Sequence, residues 1–245
     1  MPGKIEDSPS LNDRFVVTLD GLAGSGKSSL AEALAKELQF INFNSGLLYR
    51  TVGFLALEHG VSPDDEVGLG ALLGKHSIAL VERAAPDGMR SLGVILDGAP
   101  VNAEIRTPEV SEATSRSSRF AAVRTPLLSL QREACPGESL VAEGRDMGTI
   151  VFPHAQVKFF VEASVAVRVE RRIRQLGKNL SGLDADAFQK QIEREITERD
   201  ARDAGRSVAP TIAAEGSLRV DNSSAPFEDT VMRMAEVVRA KLATR

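Results

Sequence analysis

Gly21-Leu22-Ala23-Gly24-Ser25-Gly26-Lys27-Ser28 has the spacing G-x-x-x-x-G-K-S, the Walker A form of a phosphate-binding loop. Phe15-Val16-Val17-Thr18-Leu19 precedes it, an apolar and β-branched run that reads as a buried parallel strand. After it, Leu30, Leu34 and Leu38 mark one face of a helix. Strand, glycine loop and helix start therefore follow in the order that phosphate binding requires. Glycines let successive backbone N–H groups turn inward toward phosphate oxygens. The helix N-terminus adds free donors and partial positive charge. Lys27 is placed to reach the β- and γ-phosphates, and the Ser28 hydroxyl to join a Mg²⁺ shell. The stretch predicts a nucleoside triphosphate site rather than an empty helix-entry turn.

The 245 residues suffice for one large α/β domain. A formal net charge of -4 gives no global bias toward nucleic acid or a membrane. The chain has no Trp and a single Tyr, Tyr49, which leaves little to stack single-stranded bases on. One cysteine, Cys135, excludes an internal disulfide and fits a reducing compartment. His59, His76 and His154 lie far apart in sequence with no metal-ligand spacing. No apolar run is long enough to span a bilayer. The expectation is a soluble, cytoplasmic monomer with neither nucleic-acid nor membrane partners.

Residues 1–13 are polar with two prolines and read as a flexible tail. Beyond the loop, Phe40–Phe43 reads as a second strand, with Ser45 as N-cap of the helix that follows. Asp64–Leu73 reads as a short helix. His76–Val81 and Met89–Leu96 read as strands around the turn Ala85-Pro86-Asp87-Gly88, and Asp97-Gly98 signals a second hairpin. Hairpins inside a strand–helix alternation predict an inserted subdomain over about 62–102. A mainly helical stretch runs from Glu109 to Ala134. Ser139–Ala142, Gln156–Val161 and Ser217–Asp221 complete a five-stranded parallel sheet with helices on both faces. Ser164 caps a basic helix that stops at Gly177-Lys178-Asn179, a charged helix covers Asp184–Ala204, and Pro226 opens the closing helix.

A triphosphate site does not by itself separate a switch GTPase, a motor and a small-molecule kinase. The guanine signature N-K-x-D is absent, and no long interaction domain supports a motor. Glu143-Gly144-Arg145-Asp146 directly follows a strand, where a carboxylate can hold Mg²⁺ through water. Arg168, Arg171 and Arg172 share one helical face, as do Arg199, Asp203 and Arg206. Glu195–Arg199, Glu198–Arg202 and Arg199–Asp203 also suit a solvated, salt-bridged helix. Over residues 164–206, ten Lys and Arg nearly balance eight Asp and Glu, which disfavours a nucleic-acid groove. The arginines suit phosphoryl transfer to an anionic acceptor.

Ser45–Arg50, Glu104-Ile105-Arg106-Thr107, Gly144-Arg145-Asp146-Met147-Gly148-Thr149-Ile150-Val151-Phe152-Pro153, Glu198-Arg199-Asp200 and Ala209-Pro210 together resemble the bacterial cytidylate kinase family of nucleoside monophosphate kinases. The resemblance implies a P-loop kinase that uses ATP and Mg²⁺ to phosphorylate CMP or dCMP. It implies one domain over 14–245, with core segments 14–44, 104–163 and 205–245. A monophosphate-binding region would cover 45–103 with the insertion at about 62–102, and a helical lid about 164–204. Arg50, Arg145 and Arg206 would clamp the CMP phosphate, with Ser45 beside them. Ser115, Arg124 and Asp146 would read the cytosine edge, and Arg199 and Asp203 would hold the ribose. Residues Gly21 to Ser29, that is Gly21, Leu22, Ala23, Gly24, Ser25, Gly26, Lys27, Ser28 and Ser29, would hold ATP, with Arg171 and Arg172 as lid contacts. Lys27, Arg145, Arg206, Arg171 and Arg172 would be the catalytic cations, and Ser28 with Glu143 the metal site. Two positions depart from the family pattern. Asn44 and Glu143 each stand where Asp is common, and the charge lost at Asn44 implies a metal affinity that is either weaker or rests more on Glu143. A kinase for UMP or another acceptor and a non-catalytic nucleotide-binding switch are the competing readings.

Overall fold

The apolar run before the phosphate loop forms Val16–Gly21 (β1), buried along its whole length. The computed structural model describes residues 14–176, 183–206 and 208–244. The expected tail at 1–13 and the helix stop at 177–179 lie outside the described residues. The loop leads into Lys27–Leu38 (α1), followed by Ile41–Asn44 (β2), Gly46–Glu58 (α2) and Glu66–Leu73 (α3). Ile78–Ala84 (β3), Arg90–Leu96 (β4) and Ala99–Val101 (β5) come next. A 3₁₀ turn at Glu104–Arg106 opens into Pro108–Ser117 (α4) and Ala121–Arg132 (α5). Leu140–Glu143 (β6), a π-helical turn at Met147–Val151 and Val157–Glu162 (β7) follow. Val165–Gln175 (α6), Leu183–Ala204 (α7), Leu218–Asp221 (β8) and Phe227–Leu242 (α8) complete the chain.

The strands form one sheet in the order β3-β4-β2-β6-β1-β7-β8, with β5 also on β4. The run β2-β6-β1-β7-β8 is parallel throughout. Those five are the expected parallel core, and β3, β4 and β5 bring the sheet to eight strands among the described residues. The antiparallel hairpins β3-β4-β5 join the same sheet, because β4 pairs in parallel with β2 at Ser91 and Asn42. Farther along the same edge of β4, Val94–Leu96 pair with β5 instead. Asp97 and Gly98 both take positive φ (49° and 81°), as the two-residue turn between β4 and β5 needs.

Alternation along the central strands sorts the core onto two faces. Val17, Leu19 and Val141 pack with Leu30 and Leu34 of α1 and with Val231, Met234 and Val238 of α8. Val16, Leu140 and Ala142 pack with Leu48 and Val52 of α2, Val110 of α4 and Val123 and Leu127 of α5. Each fully buried Leu or Val contributes about 1.5–3 kcal/mol relative to exposure. The pair α6 and α7 closes instead on its own small cluster of Val169, Ile192 and Ile196. Among the described residues, no helix is long and apolar enough to cross a membrane.

The structure adds detail to three local expectations. The helical stretch from Glu109 breaks at Ser118–Phe120, where Ser118 O accepts from Arg124 Nη1 at 3.0 Å. Ser45 precedes α2 but does not cap it; its hydroxyl donates to Glu143 O at 2.9 Å. His59 and His76 are not apart in space, their ring centroids lying 4.8 Å from each other. Among the described residues, though, no group of three or more His, Cys, Asp or Glu could hold a metal.

Candidate functional site

Parallel pairing brings Gly21, Asn44, Glu143 and Asp221 to one edge of the sheet, the edge where open α/β sheets bind ligands. The phosphate loop folds there as its glycines allow. Gly24 and Gly26 take positive φ (73° and 87°). A Cβ on Gly26 would lie 2.4 Å from Asn222 Nδ2, so no larger residue fits. The carbonyl of Ser25 accepts from Asn222 Nδ2 (2.8 Å) and Arg171 Nη1 (3.0 Å), which ties the loop to α6 and to the end of β8. Ser25 Oγ is buried without a partner among the described residues.

Two clefts open from this edge. The larger, about 860 Å³, is lined by Ala23, Gly24, Gly26, Lys27, Ser28 and Ser29 of the loop and by Arg168, Arg171, Arg172 and Asn222. Gly21, Leu22 and Ser25 belong to the loop but do not line it. The smaller, about 410 Å³, gathers Ser45, Arg50, Ser115, Arg124, Arg145, Asp146, Arg199, Asp203 and Arg206 with Glu143 and Asn44. Every residue expected on the acceptor side therefore faces one cavity. Lys27, Ser28, Arg50, Arg145, Arg172 and Arg199 line both clefts, so five cations stand where the two meet.

The cations are held by neighbours that fix their direction. Arg145 donates to Gly21 O (2.9 Å) and to Asp203 (3.2 Å), and Arg206 donates to Asp203 at 2.5 Å. Arg199 Nε lies 4.0 Å from the same carboxylate. Burial raises the Asp203 carboxyl, but Arg145, Arg206 and Arg199 outweigh it and hold the group below the usual carboxylate range. Arg50 donates to Ile105 O (3.1 Å) and Ser111 Oγ (2.8 Å). Burial, then the neighbouring Arg106, Arg172 and Arg145, lowers its pKa. Burial and Arg145 push Arg199 down to about 10. So many crowded cations favour an anionic ligand.

Deeper in the smaller cleft, Arg124 Nη2 donates to Asp146, and the pair is buried. The guanidinium of Arg124 also lies 5.1 Å from the centre of the Tyr49 ring, a cation–π contact. Burial raises the Asp146 carboxyl against the pull of Arg124. Ser115 Oγ, in the same cleft, is buried with no partner among the described residues. A hydroxyl, a guanidinium and a carboxylate so placed can read a polar ring edge.

The salt-bridged reading of α7 fails for two of its three pairs. Among the described residues, Arg202 pairs with Glu112 (3.2 Å) and Arg199 with Asp203, while Glu195 and Glu198 make neither expected bridge. Arg168 is buried and joins Asp200 at 2.5 Å and Ala23 O at 3.2 Å, tying α6 and α7 to the phosphate loop. Sequence reasoning missed Tyr49 and Asn222 as wall residues. Position after β8 on the ligand edge was the available signal for Asn222; Tyr49 gave none.

Lys27 is 8% exposed, and burial followed by the neighbouring Arg145 pushes its pKa down to about 7. A polyphosphate beside it stabilises the charged form and raises that pKa again. Between pH 7 and 8, triphosphate binding will therefore take up a proton. Calorimetry in buffers of differing ionisation heat will read this uptake, and Lys27→Met will abolish it. Heats independent of the buffer would overturn the assignment.

The residues expected to hold a metal, the hydroxyl of Ser28 and the carboxylate of Glu143, line one cleft together with Asn44. That sparse oxygen set fits an ion that arrives with phosphate and water ligands, as Mg²⁺ does.

Comparison with known proteins agrees with this architecture. A family model described as cytidylate kinase matches residues 17–240. A cytidylate kinase of Pasteurella multocida is 40% identical over 233 residues, 95% of this chain and 98% of that one. A cytidylate kinase of Syntrophotalea carbinolica is 38% identical over 228 residues, covering 93% of each chain. Among solved structures, an uncharacterised protein from Eubacterium ventriosum superposes with a TM-score of 0.50 at 8% identity, over 92% of this chain and 99% of that one, a likeness of fold alone.

Proposed function

The chain belongs to the cytidylate kinase family, and from that membership we propose how its residues move the γ-phosphate of ATP to CMP or dCMP, giving ADP and CDP or dCDP. The observation that carries the reading is the junction of the two clefts at Lys27, Arg50, Arg145, Arg172 and Arg199. ATP occupies the larger cleft with its phosphates on the loop amides of residues 21–29. CMP occupies the smaller, its base toward Ser115, Arg124 and Asp146 and its ribose toward Arg199 and Asp203. The two phosphate groups then face each other across the five cations.

Phosphoryl transfer needs little covalent help, so positioning and charge neutralisation supply most of the barrier reduction. Lys27, Arg171 and Arg172 neutralise the donor. Arg50, Arg145 and Arg206 hold the acceptor phosphate, which is already an anionic nucleophile and needs no general base. Ser28 and Glu143 would hold Mg²⁺, which when bound neutralises the β- and γ-phosphate oxygens. Asp146 suits cytosine because a carboxylate accepts from an exocyclic amine and repels the carbonyl oxygen that uracil carries there. The separate packing of α6 and α7 supports their acting as a lid over about 164–204 that excludes water on closure. The enzyme acts as a cytoplasmic monomer.

The test is ADP production from ATP and Mg²⁺ with CMP, dCMP, UMP, AMP, GMP or no acceptor. Turnover confined to CMP and dCMP is expected. Turnover dominated by UMP or AMP would remove the base-reading roles, and ADP release that no acceptor stimulates would sink the kinase assignment.

A further inference from the structure

Asp20 ends the β1 side chains just before the phosphate loop, and phosphate binding does not use it. It is 2% exposed, and backbone amides occupy both its oxygens. Oδ1 accepts from Met147 N–H at 2.8 Å, and Oδ2 from Gly148 N–H at 2.7 Å. Those amides open the π-helical turn immediately after Arg145 and Asp146. The turn has no slack against β1. A Cβ on Gly148 would lie 3.0 Å from Thr18 Oγ1, 3.2 Å from Ala214 Cβ and 3.3 Å from Asp20 Oδ2. Burying a carboxylate is costly unless its lone pairs are taken up by donors, and a hydrophobic residue would fill the same space more cheaply. What a carboxylate does here, and a hydrophobic residue does not, is fix two adjacent amides at once.

We propose that Asp20 is a positioning residue for the acceptor: by gripping the Met147 and Gly148 amides it fixes Arg145 and Asp146 relative to Lys27. Arg145 closes the same link from the other side, donating to Gly21 O at 2.9 Å one residue beyond Asp20. Strand, loop and acceptor turn form a closed ring of contacts, and the carboxylate supplies two of them. The inference rests on the acceptor roles given above to Arg145 and Asp146.

Asp20→Asn keeps the shape but offers one acceptor and sets an NH₂ donor against the second amide. The expected result is a CMP KM raised by about 10- to 100-fold with the ATP KM within about twofold of the parent. The ratio of CMP to UMP turnover should fall with it. Hydrogen exchange at the Met147 and Gly148 amides should speed up while β1 and β6 amides keep their protection. An unchanged CMP KM, or equal losses toward CMP and ATP, would overturn the proposal. Should Asp20→Asn not fold, Gly148→Ala keeps the carboxylate but crowds the turn against Thr18, Ala214 and Asp20 by a few tenths of an ångström, and it must show a smaller loss of the same CMP-selective kind. If the parent enzyme fails to phosphorylate CMP, the acceptor reading itself falls. The exchange experiment then still decides whether Asp20 holds the turn.

Discussion

Lys27→Ala will lower kcat with ATP and CMP by roughly 10³-fold, the scale on which removing a preorganised charge from a phosphoryl-transfer site is felt. The side chain starts α1, lies almost wholly buried, and stands at the seam of both clefts. In the proposed arrangement its charge meets the transferred group where negative charge is redistributed. The loss should thus appear equally in kcat and in kcat/KM for the acceptor. The protein itself should not suffer. Burial and Arg145 both oppose charge on Lys27, so its removal relieves the free protein rather than weakening it. The linkage sign agrees. A lysine whose folded pKa is depressed to about 7 opposes folding while the unfolded side chain stays charged, and that opposition grows as pH falls from 10.5 toward 7. Steady-state ADP production and a thermal melt check both halves. Intact CMP turnover, or a lowered melting temperature near pH 7, would refute the assigned role.

Asp146→Ala should cost on two accounts at once. Removing one partner of a buried ion pair leaves Arg124 charged and uncompensated, with side-chain exposures of 9% for Arg124 and 3% for Asp146. The expected destabilisation is about 3–5 kcal/mol, read as a lower urea midpoint. The second cost falls on cytosine. A site that loses a hydrogen-bonding group toward its substrate loses discrimination steeply, so kcat/KM for CMP should fall by about 10²- to 10³-fold. UMP turnover, low in the parent, should change far less. The two costs separate cleanly, because Arg124→Leu with Asp146→Leu restores an apolar fill and should recover stability without recovering CMP use. Intact CMP turnover in Asp146→Ala, or equal losses toward CMP and UMP, would remove Asp146 from base recognition.

Much of this was readable in the chain itself because the signals are local. The G-x-x-x-x-G-K-S loop, the apolar run before it and the helix after it need only spacing to be recognised. The Asp97-Gly98 turn likewise declares itself through two residues that tolerate positive φ. The acceptor wall was reached through a motif resemblance, and the fold brings Ser45, Arg50, Ser115, Arg124 and Asp146 to one cavity. What stayed hidden depends on contacts between distant segments. Nothing near Ser45 announces that its hydroxyl serves Glu143 instead of its own helix. The pairing of β4 with β2 rests on one residue pair and carries no sequence signature. Asp20 reads as one more polar residue at a strand end until two amides from more than a hundred residues away are set on it.

The antiparallel strands also matter for the company the molecule keeps. A sheet margin with unpaired backbone groups is a template on which another chain can grow, and margins are where aggregation begins. Without residues 78–101, the margin would be β2, whose Ile41 and Phe43 are fully buried and apolar. With them it is β3, where Glu82 meets Arg90 at 2.6 Å and charge faces solvent. At the opposite margin β8 has only four residues, and its Arg219 is paired with Glu162 at 2.7 Å. Both rims thus carry ion pairs and one is short, features that blunt a sheet margin as a template for further strands.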